Sequence, residues 1–303
     1  MFKLGLDRSV LKKYREAGKI ATKVKRQIPN FVEEEIPIID VCERVEELIR
    51  KLGGQPAFPC NVSVDEVAAH YTSPPKDDEI IPRKSIVKVD LGVHVDGYIV
   101  DTAVTVCFRE ELNDMVLVAK EALSRGIKIM HADLSASDFG RHIKEYVESQ
   151  GFKVIANLTG HQIARYILHA GKSLPNVPHL SASRIKEGEI YAIEPFVTTY
   201  KGKGKVVNGP PGNIYRLVKL KSPSNSAAKK VLNYVRSHFR TLPFAERWLR
   251  RVLSEKIVDE GLPKLLSSKI LMVYPTFIEA AGEPVAQAEH TVVVTKKGCE
   301  VLT

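Results

Sequence analysis

The sequence predicts an α+β protein in which a catalytic domain of duplicated α/β units is interrupted by a helical insertion. Three observations carry this reading. Helical and strand-like periodicities alternate along the chain up to Pro211. Two of the helices end in glycine and lead into segments rich in histidine, the trace of a repeated unit. From Pro211 to Tyr274 the pattern becomes helical and supplies none of the acidic and histidine constellation found on either side. The expected division is 1–210 and 275–303 for the catalytic domain, with 211–274 as the insertion.

The first helix is read from Val10, Leu11, Tyr14, Ala17, Ile20, Ala21 and Val24, which recur at helical spacing until Pro29 stops them. Val41, Val45, Leu48, Ile49 and Leu52 give a second helix ending at Gly53-Gly54. Leu112, Met115, Val116, Ala119, Ala122 and Leu123 give a third, and Phe139, Ile143, Tyr146 and Val147 a fourth that stops at Gly151. Strands are expected over Ser85–His94, Tyr98–Phe108, Glu189–Thr198 and His290–Thr295. In the insertion, Leu232, Val235, Phe239, Phe244, Trp248, Leu249, Val252 and Leu253 predict compact helices. Thr241-Leu242-Pro243 reads there as a helix start.

Composition narrows the classes. With 303 residues and 44% hydrophobic residues the chain can bury a large core. No segment approaches the ~18 uninterrupted apolar residues of a membrane span. Met1 to Val10 mixes charged and isolated apolar residues, without the apolar run of a secretion signal. Cys42, Cys60, Cys107 and Cys299 never form a CxxC pair, so reduced thiols in a cytoplasmic protein are expected. Without a secretion signal, the sequon Asn61-Val62-Ser63 is read as chance.

The chemistry begins in Ile86–Val106, IVKVDLGVHVDGYIVDTAVTV. Asp96-Gly97 is a hairpin-turn dipeptide between two β-rich runs. With that turn Val95 faces Tyr98 and Asp90 lies opposite Ala103. Asp101 is then the diagonal neighbour of Asp90 on the same face, about 5–8 Å away. Two carboxylates so close among Val and Ile would repel and lose hydration, so a positive group is expected between them. A solvated strand aspartate is the plainer reading of either one. Further on, His161 and His169 bound GHQIARYILH, Glu194 sits in IYAIEPF and Glu289 in AQAEHTVVV. Singly, each histidine reads more readily as structural. Taken together, however, two aspartates, two glutamates and a histidine form an oxygen-rich, thiolate-free set suited to divalent Mn, Fe, Co or Zn. Carboxylates bridging two such ions would hold them about 3.5–4 Å apart.

In this order (Asp, Asp eleven residues on, His, Glu, Glu) the chain resembles the methionine aminopeptidases of the pita-bread fold, type 2 branch. Local matches are AFP…AAHYT from Ala57 to Thr72, NLTGHQIARYILHAGKSLPNV from Asn157 to Val177, AIEPF from Ala192 to Phe196 and TLPFAERWL from Thr241 to Leu249. The resemblance runs from Leu11 onward. The segment after His70 reads YTSPP, one Ser more than the family pattern, which affects a loop alone.

The resemblance implies a pita-bread fold with pseudo-twofold duplicated units and a short, archaeal-like form. It implies a cofactor of two divalent metal ions (Co, Mn, Fe or Zn), with Asp90 on one ion, Asp101 and Glu289 bridging, and His161 and Glu194 on the other. Water activated by the ions attacks the scissile carbonyl in such enzymes. Glu194 is implied as proton shuttle, His169 as donor to the carbonyl oxygen and His70 as contact to the scissile amide. Phe58 stands where the family lines its methionine pocket; an ordinary core phenylalanine is the other reading. The implied activity is removal of the N-terminal methionine from nascent polypeptides, with a small second residue preferred, by a cytoplasmic monomer. A proline-specific peptidase of the same fold shares these ligands, whereas a metal-free relative that binds RNA or protein would lose some of them.

Between Arg216 and Lys256 the insertion carries eleven Lys and Arg against Glu246 and Glu255, a surplus equal to the whole chain's net charge of +9. Two readings of this basic face stand, a solvated helical surface and a contact with ribosomal RNA.

Overall fold

The computed structural model describes residues 6–179 and 183–303. Half of the N-terminal segment read above for a secretion signal, residues 1–5, lies outside the described residues.

The first unit pairs helices α1 (Arg8–Lys25) and α2 (Ile38–Lys51) with an antiparallel sheet centred on the strand Ile86–Val95. That strand pairs with Asn61–Val64 on one side and Tyr98–Cys107 on the other. Its odd residues Val87, Val89, Leu91 and Val93 join Tyr14, Val24, Val45 and Ile49 in one core. Strand alternation turns its even residues, including Asp90, to the opposite face. The second unit repeats the plan. Helices α3 (Asn113–Ile129) and α4 (Ala136–Ser149) cover a five-stranded sheet that includes Thr159–Ile163, Ile190–Ile193 and His290–Thr295. Met115, Phe139 and Ile143 pack there against Tyr191, Ile193 and Val292. Gly53 and Gly151 follow α2 and α4 at φ +90° and +80°, the left-handed conformation glycine takes at helix ends.

The chain departs from one expected strand, whereas His290–Thr295 forms as expected. Glu189–Thr198 is two strands, Ile190–Ile193 and Phe196–Thr198, which enter different sheets. Pro195 between them has no N–H for a ladder. Likewise Val285–Gln287 and His290–Thr295 join different sheets, with Ala288 and Glu289 between. Glu194 and Glu289 therefore stand at breaks rather than within strands.

The helical segment holds α5 (Ser226–His238), α6 (Glu246–Arg250) and α7 (Glu255–Ser267) around a core of its own, with Val231, Leu232, Val235, Trp248, Leu249, Val258 and Leu262. It hangs on a long antiparallel ribbon, Val206–Leu217 against Leu271–Glu279, whose strands run across the boundaries expected at Pro211 and Tyr274. Thr241-Leu242-Pro243 does not start a helix. Phe244 and Ala245 pair with Tyr215 and Ile214, which holds the backbone extended, and α6 begins at Glu246. Arg247 on α6 is buried against Glu46 on α2, and Trp248 Nε1 donates to the same carboxylate at 2.6 Å.

Candidate metal centre

The Asp96-Gly97 turn has φ +51° and +84°, the left-handed pair a two-residue hairpin needs. It sets the register found, with Val95 opposite Tyr98, Asp90 opposite Ala103 and Asp101 opposite Gly92. Asp90 and Asp101 therefore share a face as diagonal neighbours, as the turn predicts. The second unit supplies His161 from strand Thr159–Ile163 and Glu194 and Glu289 from the two strand breaks. Thr291 locks the two halves together, its hydroxyl donating to the Asp101 carbonyl at 2.8 Å and accepting from the Asp101 N–H at 2.7 Å.

Ligand atoms of Asp101, His161 and Glu289 all lie within 4.8 Å of one another. His161 Nε2 is 3.6 Å from Asp101 Oδ2 and 3.4 Å from Glu194 Oε1. Asp90 lines the same cavity of about 320 Å³ with Asp101, His161 and Glu194. Burial, and then mutual repulsion, pushes the carboxyl groups of Asp90, Glu194 and Glu289 well above their usual range. Asp101 rises to about 7, chiefly through burial. His161 is lowered to about 4 by burial and is a neutral donor of its lone pair. Asp90 Oδ1, Asp101 Oδ1, Glu289 Oε1 and His161 Nδ1 are buried without a hydrogen-bond partner. Groups this costly to bury alone, converging with oxygen and imidazole chemistry and no thiolate, fit divalent metal ions.

The model of metallopeptidase family M24 matches residues 12–296. The chain belongs to this family. The methionine aminopeptidase of Methanothermobacter thermautotrophicus is 41% identical over 297 residues, which cover 97% of this chain and 99% of that protein. Among solved structures, a methionine aminopeptidase from Thermotoga maritima superposes with a TM-score of 0.71 at 24% identity, covering 100% of this chain and 99% of that one. The structure of a thermophilic Arx1 superposes with a TM-score of 0.82 at 18% identity, covering 98% and 91%. Likenesses at these identities carry the fold alone, which is the pita-bread fold of M24 peptidases. As an M24 metallopeptidase the protein is a hydrolase that works with divalent metal.

The remaining residues picked out in the sequence lie around the same M24 cavity. His70, at φ +67°, follows strand Val67–Ala69, with its ring 4.7 Å from Phe277 and 5.3 Å from Tyr274. A left-handed non-glycine residue here is the kind of backbone strain that collects at functional sites. Burial lowers its pKa to about 4. His169 is 4.3 Å from His161, ring to ring, and burial first, then His161, hold it near 3. Phe58 serves both readings, since it lines the cavity and belongs to the first core. Gly92 gives it room, for a Cβ there would lie 2.3 Å from the Phe58 ring.

Sequence reasoning missed part of the wall. Asn61, read above as a chance sequon, is 3% exposed, pairs across the sheet with Asp90 and lines the cavity. Ile214, Pro243 and Tyr274 reach the cavity from the insertion and its ribbon. None bears a charge, and only the ribbon's geometry brings them in.

Proposed function

We propose that this protein removes the N-terminal methionine from nascent polypeptides, by metal-assisted hydrolysis and with preference for a small second residue. Asp90, Asp101, His161, Glu194 and Glu289 would hold two divalent ions (Co, Mn, Fe or Zn). When bound, such ions polarise the scissile carbonyl and make water nucleophilic at neutral pH. Glu194 takes a proton from the water and delivers it to the leaving amine. His169 is neutral and donates to the carbonyl oxygen as charge develops there. His70 contacts the scissile amide, and Phe58 packs on the methionine side chain. The insertion, residues 211–274, completes the wall of the site.

The observation that carries this reading is the buried meeting of four carboxyl groups and His161, three of the carboxyls with an oxygen that has no hydrogen-bond partner, in a chain similar over nearly its full length to a methionine aminopeptidase. We place the enzyme in the cytoplasm as a monomer, where nascent N-termini are available. Ribosome contact through the basic face of residues 216–256 belongs to the same proposal. Among the described residues no helix is long and apolar enough to cross a membrane. Assay of the metal-loaded protein on Met-Ala-Ser, Met-Phe-Ser and Ala-Pro-Ser tests the reading. Strong preference for Met-Ala-Ser is expected. Equal kcat/KM for Met-Ala-Ser and Met-Phe-Ser removes the small-residue rule, and faster cleavage of Ala-Pro-Ser makes the protein a proline peptidase.

A further inference from the structure

The arginines of the helical segment differ in how their charge is met. Arg247 is buried on Glu46, Arg250 binds Glu246 and Asp259 at 2.6 and 2.5 Å, and Arg251 binds Glu43 at 2.7 Å. Arg216 has no such partner. It is half-buried on the ribbon strand Val206–Leu217, opposite Met272, which puts Tyr274 on the same face as its diagonal neighbour. Its guanidinium carbon sits 6.0 Å from the centre of the Tyr274 ring. One terminal nitrogen makes a weak contact to Met272 Sδ at 3.4 Å, and Nε is buried with no hydrogen-bond partner. Among the described residues no carboxylate forms an ion pair with it.

Tyr274 lines the catalytic cavity, and its ring centre lies 6.5 Å from that of His169. The phenol oxygen is buried and also unpartnered. The charge of Arg216 is felt at His169, where it acts in the same direction as burial and His161. An unpaired guanidinium and an unpaired phenol thus flank the wall beyond the residue that would hold the scissile carbonyl. From the His169 ring to the guanidinium is at most those two separations, 6.5 and 6.0 Å, end to end, a span that roughly four residues of extended backbone cover.

We propose that Arg216 forms a subsite for a carboxylate of the substrate beyond the scissile bond, which makes it a specificity-determining residue. The proposal rests on the peptidase reading above. A planar guanidinium matches a carboxylate through two parallel hydrogen bonds, and here the one contact it would give up is the weak one to Met272 Sδ. Tyr274, against which it lies, would keep it from swinging into solvent. The carboxylate has two sources, an acidic side chain at the third or fourth residue of the substrate or the C-terminus of a short peptide.

The metal-loaded protein is assayed on four amidated or free peptides: Met-Ala-Ser-Ser-NH2, Met-Ala-Glu-Ser-NH2, Met-Ala-Ser-Glu-NH2 and Met-Ala-Ser with its free carboxylate, beside the amide of the last. An acidic side chain is expected to raise kcat/KM about 5- to 10-fold over the neutral amide, mainly through KM, as one partly exposed charge-assisted contact would. A gain confined to the free tripeptide assigns the subsite to the chain terminus instead. Arg216→Met should bring the acidic-to-neutral ratio to about one, and Arg216→Lys should keep part of it. Lys219→Met removes a unit charge just beyond the same strand and should leave the ratio intact, which separates a local contact from general attraction by a basic chain. A ratio of one in the native protein, or a ratio that survives Arg216→Met, overturns the subsite while the peptidase reading stands. No cleavage of any methionyl peptide overturns both.

Discussion

In the proposed mechanism single side chains set the chemistry, His169 and the buried carboxyl groups above all. With its pKa near 3, the His169 ring is neutral at any working pH and donates one hydrogen. His169→Ala should therefore lower kcat by about 10²–10³, the usual cost of one oxyanion donor, and leave metal content unchanged in elemental analysis. Metal loss as large as that of Asp101→Ala would make His169 a ligand. The carboxyl groups predict a second effect. A carboxyl whose pKa is raised by folding contributes stability that is full below the unfolded value near 4 and is lost as pH rises through the folded value, about 7 for Asp101. Metal displaces those protons, so its gain in Tm should be small at pH 5 and large at pH 8. Buried histidines such as His70 and His94, lowered to about 4, act in the opposite sense, losing stability as pH falls. They contribute equally with and without metal and cancel in the difference. Tm measured with chelator and with Mn²⁺ across this range decides it; a gain independent of pH counts against a carboxylate-rich metal site.

At the scale of elements, the turn dipeptide Asp96-Gly97 carried the most information, because a two-residue hairpin leaves one register and the register puts Asp101 beside Asp90. Helices α1 to α4 were legible for a similar reason: each has a clean 3.6-residue apolar stripe, and α1, α2 and α4 also have a proline or glycine stop nearby. Glu194 and Glu289 were visible as acids in apolar runs, but their place at strand breaks was not, since a break is fixed by which sheet each half joins. Helix α7 went unread because Pro263 lies inside it, a residue that ordinarily ends a helical pattern. The cavity wall from the ribbon was hidden because its residues are remote in sequence and chemically plain. Gly92 illustrates the same limit. Nothing local marks it, yet it faces Asp101 across the hairpin and any Cβ there meets Phe58 and Ala57. Gly92→Ala should cost about 1–3 kcal/mol through forced repacking and raise KM for methionyl peptides by tilting Phe58. A lowered Tm with unaltered KM would mean that the Phe58 ring yields without disturbing the pocket.

For the whole molecule, the helical segment is tied into the catalytic body by the buried Arg247–Glu46 pair and by the ribbon that walls the cavity, so its basic surface is held at a fixed orientation to the site. That surface is smaller than the sequence count implied. Arg247 faces inward, and Arg250 and Arg251 are met by Glu246, Asp259 and Glu43. Removing one partner of a buried pair leaves an uncompensated charge and destabilises strongly, so Arg247 has no place in a test of binding. Lys219, Lys221, Lys229 and Lys230 are exposed and belong to no ion pair among the described residues. If this face docks the enzyme near the ribosomal tunnel exit, affinity comes from counterion release and requires no base contacts. Changing these four lysines to Glu should then weaken co-sedimentation with ribosomes, and native binding should fall steeply with salt. Cleavage of a free tripeptide should stay near the native rate, because none of the four lines the cavity. A solvated face predicts little sedimentation of either protein at physiological salt. Equal sedimentation of variant and native protein removes this surface from the proposed contact and leaves its charge as a contribution to solubility.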